Sequence, residues 1–261
     1  MPLCRHLSAL VQVLSLLLCL AATGVARAET LVIAGDIWCP INCEPGSARP
    51  GIFVELAQRI FAESGIRVEY QALNWARTLR EVRSGTLNAA IGAGVADAPD
   101  FLFTATPVAQ SRNCFFTRPD STWQFSGVDS LPQVRLGVIN DYSYGDQLNA
   151  YIADKRSRSG PIQVASGDRA LALNVSKLLH GRLDAVLENR WVMQSMLASS
   201  GQSGTLREAG CRETDAPIYL AFSPALDSSR RYVELFEQGL RRYRADGRLQ
   251  ALLKAYGVDE G

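Results

Sequence analysis

The chain has 261 residues, 47% of them hydrophobic and 20% charged, with 27 basic residues against 26 acidic ones. That near balance, without a basic stripe, gives no reason to expect a nucleic-acid partner. The length allows one large or two smaller α/β domains, either long enough to bury a core.

The first segment reads as an export signal. Arg5 precedes an apolar run from Leu7 to Ala22, and Ala26-Arg27-Ala28 places small residues where a signal peptidase reads. The run is short for a membrane span. An uncleaved anchor is the alternative; a lipoprotein at Cys19 is opposed by Leu18, where a small residue is needed. Residues 1–28 are therefore set apart from the fold, with cleavage after Ala28 and an exported protein expected. Their removal takes away Arg5 and Arg27 and no acid, which leaves 25 basic against 26 acidic residues and a formal charge of −1.

Elements then follow in alternation. Leu31 to Ala34 reads as a strand ending at Asp36-Ile37-Trp38. The loop from Cys39 to Pro50 carries three prolines and two cysteines. Phe53, Leu56, Ala57, Ile60 and Phe61 recur at the spacing of one helix face, closed by Gly65. A second strand and a helix with Leu79 and Val82 inward lead to Gly85. A third strand exits at Gly92-Ala93-Gly94. Strands alternating with helices predict a parallel sheet with helices on its faces, whose ligands bind beyond the carboxyl ends of the strands.

Asn113 to Thr117 reads as a strand and Arg118 to Pro132 as a connection. A second α/β block starts at Val134, with a turn from Asn140 to Gly145 and a helix near Asp146 to Asp154. A strand from Ile162 to Ala165 follows, then a helix capped by Asp168 and running to Leu179. Leu183 to Leu187 is a strand exiting at Glu188-Asn189, before a helix from Trp191 to Ala198. Leu206–Cys211 and Pro217–Phe222 are strand-like. The end is helical, with Asp227 or Ser228 as the cap of a long helix and a break at Asp246-Gly247.

Cysteine and histidine counts narrow the chemistry. Cys39, Cys43, Cys114 and Cys211 remain beyond the signal, an even number that suggests disulfides with three possible pairings. Cys39 and Cys43 are close enough for a local bridge, which leaves Cys114 and Cys211 to pair. A four-thiolate zinc site would need a second close pair, so no metal and no cofactor are expected. His180, the one histidine past residue 28, falls at a helix end before Gly181. A Ser-His-Asp enzyme built on it is not expected.

Several segments carry a family resemblance: Trp38-Cys39-Pro40, Gly51-Ile52-Phe53-Val54-Glu55, Asn74-Trp75-Ala76-Arg77 and Ser84-Gly85. Phe103 to Pro107, Arg182-Leu183-Asp184-Ala185, Ile218 to Phe222, Arg244 to Gly247 and Lys254 to Gly257 extend it. In this order they resemble a periplasmic solute-binding protein of the type II fold, family 3, over residues 30–257. The resemblance implies an α/β architecture of two lobes joined by two hinge-crossing strands, with ligand in the cleft. Lobe 1 would hold 29–113 and 217–261, lobe 2 would hold 119–213, and the crossings would lie near 114–118 and 214–216. A Cys114–Cys211 bridge would then tie the crossings together.

Two departures bear on the ligand. Amino-acid receptors of this group hold the α-carboxylate with an arginine before the Phe-Ser/Thr pair; here Gly94 to Asp100 has none, and Asp97 aligns in its place. They hold the ammonium with an acid just after the Leu-Asp-Ala strand; here Asn189 stands there, with Glu188 before it. A standard α-amino acid is therefore not the expected ligand.

The candidate ligand-binding residues are Trp38, Trp75, Arg77, Gly92, Gly94, Asp97, Tyr142, Ser143, Glu188 and Asn189. Trp38 and Trp75 could stack on a planar or cationic ligand, with core packing as the rival role for each. Arg77 could grip a carboxylate or phosphate bidentately. Backbone N–H groups at Tyr142-Ser143-Tyr144 could form an anion nest. Arg112 reads as the structural partner of an acid near the hinge. The reading is a monomeric solute-binding protein for a small polar molecule, working with an ABC permease. A receptor for a membrane sensor is the second reading. A dehydratase-like enzyme, with Glu188 or Asp97 as general acid, is the third.

Overall fold

The computed structural model describes residues 29–156, 160–167 and 169–258. The export signal expected at 1–28 and the cap expected at Asp168 lie outside them. Among the described residues no helix is long and apolar enough to cross a membrane.

Two five-stranded sheets form the molecule. The first contains β1 (Thr30–Gly35), β2 (Arg67–Ala72), β3 (Ala89–Ala93), β4 (Ala109–Ser111) and β10 (Ala216–Phe222), in the order β2-β1-β3-β10-β4. β1 runs parallel to β2 and β3, while β10 runs antiparallel to β3 and β4. The second contains β5 (Asn113–Thr117), β6 (Leu136–Ile139), β7 (Ile162–Ala165), β8 (Ala185–Asn189) and β9 (Arg207–Cys211), in the order β7-β6-β8-β5-β9. There β6 is parallel to β7 and β8, and β5 is antiparallel to β8 and β9.

Helices fill the alternating positions. α1 (Ile52–Ala62) buries all five residues of its expected stripe. α2 (Trp75–Arg83) is capped by Asn74, whose side chain accepts the Arg77 N–H, and buries Trp75, Thr78, Leu79 and Val82. Those four share one helix face. α3 (Asp146–Lys155), α4 (Ala170–Leu179) and α5 (Arg190–Ser199) belong to the second sheet's block. α6 (Ser229–Ala245) and α7 (Arg248–Ala255) return to the first sheet, where Phe236, Leu240 and Leu253 join the core of β1, β3 and α1. Part of the connection expected at 118–132 is a 3-10 helix, Val128–Gln133, which seats Leu131 in the second core.

The chain passes between the sheets twice. β4 ends at Ser111 and β5 begins at Asn113, so the first passage is a single residue, Arg112. The second runs from Arg212 to Asp215, between β9 and β10. The first crossing had been expected at 114–118; instead β5 pairs along its length with β8 and β9 and lies inside the second sheet. Its five consecutive buried residues explain this, because a strand covered on both faces belongs in a sheet interior. Arg112 and Asp215 join the two passages by a bidentate pair, both bonds 2.7 Å.

Both disulfides form, Cys39–Cys43 and Cys114–Cys211. Cys114 and Cys211 are directly opposed on β5 and β9, and each lies within three residues of a passage.

Candidate functional site

The strand ends of both sheets converge on a cleft of about 280 Å³. From the first block come Asp36 and Trp38 after β1, Trp75 at the start of α2, and Gly92, Gly94 and Asp97 at the exit of β3. From the second come Tyr142, Ser143, Tyr144 and Gly145 after β6. The second passage adds Arg212, and the strand residues beside the passages add Ser111, Asn113, Ala216 and Pro217.

Trp38, Trp75 and Tyr142 build an aromatic wall. Tyr142 meets both tryptophans in T-shaped contacts, with centroids 6.4 and 6.5 Å away and rings 80° apart. Gly92 has φ of 77°, and a Cβ there would sit 3.2 Å from the Trp38 ring, so glycine serves both the backbone turn and the close approach of the ring. Trp38 is fixed from behind as well: its Nε1 donates to Glu188 Oε1 over 3.0 Å. The Tyr142 hydroxyl donates to Asp36 Oδ2. Both bonds run from the first block to the second and close the cleft.

Asp97 faces the cleft with Oδ2 accepting the Gly94 N–H at 2.7 Å. Burial pushes its carboxyl up to about 6, opposed by the N–H groups of Gly94 and Ser143. Of the nest expected at Tyr142–Tyr144, the Tyr144 N–H is taken, donating to Asn149 Oδ1 over 2.8 Å. Burial also raises the Tyr142 and Tyr144 phenols well above their usual range.

Three expected site residues stand elsewhere. Arg77 is exposed on the outer face of α2 and lies 3.7 Å from Glu81. The cap at Asn74 sets Trp75 inward, and two residues on turns Arg77 toward solvent. Asn189 is fully buried but serves structure: its Oδ1 accepts the Val192 N–H to cap α5, and its Nδ2 donates to Ser111 Oγ. Glu188, 1% exposed, sits behind Trp38 rather than on the cleft wall. Its Oε1 accepts from Trp38 and from the Asn189 N–H, while Oε2 is buried without a hydrogen bond. Burial raises this carboxyl to about 7, against the lowering effect of those two donors; the charge of Asp36 adds to the rise.

Asp36, Asn113, Ser111 and Arg212 were not singled out from the sequence as site residues, and Tyr144 was named only for its backbone N–H. Asp36 carried a local signal, as the polar residue ending the first strand. Arg212 carried one too, as the arginine directly after Cys211. The lining role of Ser111 and Asn113 follows only once the first passage is known to be one residue long.

Two α/β blocks joined by two chain passages, with a cleft between their strand ends, define a two-lobed periplasmic-binding-protein fold. The chain belongs to the bacterial extracellular solute-binding proteins, family 3, whose family model matches residues 33–259. Among solved structures it is similar to a histidine kinase sensor domain resembling periplasmic binding proteins, with a TM-score of 0.73 at 19% identity, covering 88% of this chain and 96% of that one. A protein of glutathione import from Streptococcus mutans gives 0.73 at 16%, with 88% and 95% covered. An amino-acid ABC transporter substrate-binding protein from Streptococcus pneumoniae, bound to L-arginine, gives 0.68 at 18%, with 87% and 94% covered. No curated protein matches the sequence. A solute-binding role follows from the family.

Proposed function

We propose that this protein is the periplasmic receptor of an ABC importer, exported by residues 1–28, and that it captures as a monomer a small polar solute other than a standard α-amino acid. The observation that carries the reading is the cleft itself, with aromatic side chains from both blocks, Asp36 and Asp97 from the first, and Arg212 from the second passage. Closing two blocks on a solute excludes water and strengthens every polar contact inside. The departure from α-amino acids rests on Asp97, a carboxylate at the strand exit that already accepts the Gly94 N–H. It rests equally on Asn189, which is committed to capping α5.

A binder is favoured over a dehydratase-like enzyme by the family's solute-binding role; of the two expected general acids, Glu188 is sealed behind Trp38, while Asp97 faces the cleft with Oδ2 held by the Gly94 N–H. A general acid must reach the proton's acceptor directly or through one water. The sensor-receptor reading has its own support, since a histidine kinase sensor domain shares this fold over 88% of the chain.

Mass spectrometry of molecules that co-purify, with a thermal-shift screen of small metabolites, tests the proposal. A solute that binds the folded state raises the melting temperature. Turnover of a hit would overturn the binder reading. A Kd below about 1 μM for a simple proteinogenic amino acid, by calorimetry, would overturn the specificity reading.

A further inference from the structure

Three arginines surround the second passage, and two of them are spoken for. Arg112 holds both oxygens of Asp215, at 2.7 Å each. Arg190 holds both oxygens of Glu208, at 2.8 and 2.6 Å. Arg212, between those acids in the chain, makes no side-chain hydrogen bond or ion pair among the described residues.

Its position is nevertheless well defined. The Arg212 N–H donates to Asn113 O over 3.0 Å, which fixes its backbone to the other passage. Its guanidinium lies on Gly145, where a Cβ would come within 2.3 Å of Nη2. Gly145 also has φ of 87°, so glycine serves both the turn and the approach. The side chain borders the aromatic cleft on one side and a second hollow, reaching Phe125 and Leu148, on the other. The other two charged side chains of the cleft are acids with protein donors: Asp36 accepts the Tyr142 hydroxyl, and Asp97 accepts the Gly94 N–H.

We propose that Arg212 is the specificity-determining residue of the cleft, and that the solute is a small monocarboxylate whose carboxylate seats on this guanidinium while its flat body lies along Trp38, Trp75 and Tyr142. A guanidinium matches a carboxylate as two parallel N–H···O bonds. The fixed carboxylates of Asp36 and Asp97 repel a second negative charge, which selects against dicarboxylates and phosphates. The carboxylate thus enters beside the passages, so the sense of the solute in the cleft is set by β9's end rather than by the exit of β3. This inference rests on the solute-binding reading.

The test uses the full mature chain and matched acid–amide pairs as probes: phenylacetate and phenylacetamide, indole-3-acetate and indole-3-acetamide, 4-hydroxybenzoate and 4-hydroxybenzamide. Thermal shift and calorimetry are run on wild type, Arg212→Gln and Arg212→Lys. The expected result is a shift by at least one acid and a loss of at least about tenfold in affinity for its amide. Arg212→Gln should show the same loss for the acid, Arg212→Lys a smaller one, and both should keep the melting temperature seen without added solute. Equal binding of acid and amide, undiminished acid binding by Arg212→Gln, or no shift by any acid overturns the proposal. The underlying reading fails separately, if neither these probes, nor a broad metabolite screen, nor co-purified material yields any binding.

Discussion

The two blocks share a strand plan and each has its own apolar core, but they differ in how distant segments are joined to it. In the first, Phe61 packs against Phe222, Tyr232 and Phe236, with centroids between 5.8 and 6.4 Å. The rings come from α1, β10 and α6, so one aromatic cluster joins three segments far apart in sequence. In the second block, arginines tie loops to backbone carbonyls. Arg118 donates to Leu178 O and Leu183 O, Arg207 to Ser121 O and Trp123 O, and Arg135 to Gly181 O and the Asp184 carboxylate. The Cys114–Cys211 bond then clamps β5 to β9. An apolar cluster stabilises by area removed from water, whereas these ties act by satisfying carbonyls and restricting the open chain.

The sharpest way to break the comparison is to remove the ring at the centre of the first cluster. Phe61→Ala deletes a fully buried side chain and should cost about 3–5 kcal/mol. Urea unfolding followed by hydrogen exchange should show the loss on β1, β3 and β10. Loss confined to the second sheet would refute the division. The matching change there is Cys114→Ala with Cys211→Ala. Removing the cross-link should cost about 2–4 kcal/mol, with lost protection centred on β5 and β9. A double variant as stable as wild type would show that the arginine ties suffice.

The difference also explains what could be read from the sequence. The α1 stripe, the β1 and β3 strands and the α6 face are periodic apolar patterns, and period is visible without a structure. The similar plan of the two blocks was visible too. The passage at Arg112 was displaced by a few residues, because a strand buried on both faces and a crossing strand are both short apolar runs. In the site, Gly92 and Gly94 were legible from a strand exit, Trp75, Tyr142 and Ser143 from the approach to a helix, and Trp38 and Asp97 from the family resemblance, and all seven line the cleft. Arg212 was not, because its freedom depends on which arginine takes which acid. Asn189 was misread for a reason within the sequence. An asparagine three residues before Val192, at the start of a helix, is as much a cap signal as a cleft signal.

A smaller effect should appear in the pH dependence of stability. Glu188 is held near 7 and Asp97 near 6 by burial, both above their ordinary values. Folding therefore favours their protonated forms, and the stability they contribute is present at low pH and lost as pH rises through these values. The melting temperature should fall from pH 5 to pH 8. Glu188→Gln, fixing a neutral side chain that still accepts from Trp38, should flatten that slope and raise the melting temperature at pH 8. An unchanged slope would mean that Glu188 stays ionised behind Trp38 or that the cleft opens to solvate it.

The smallest expected effect concerns Arg77, and it separates the two faces of α2. Trp75, Thr78, Leu79 and Val82 recur at the spacing that points inward, and all four are buried. Arg77 falls between them on the outer face, its side chain 55% exposed and 3.7 Å from Glu81, itself partly exposed. An exposed pair of this kind contributes little, because water screens the charges and two long side chains lose freedom to hold one geometry. Arg77→Ala should therefore change stability by less than about 0.5 kcal/mol and leave solute affinity within about twofold, by urea unfolding and calorimetry. Trp75→Ala, on the inner face of the same turn, should lower both, since its ring borders the cleft and packs on Leu79 and Val82 in the same cluster. If Arg77→Ala weakened binding about tenfold while Trp75→Ala did not, α2 would have to be rotated in the solute-bound form, bringing its arginine face into the cleft.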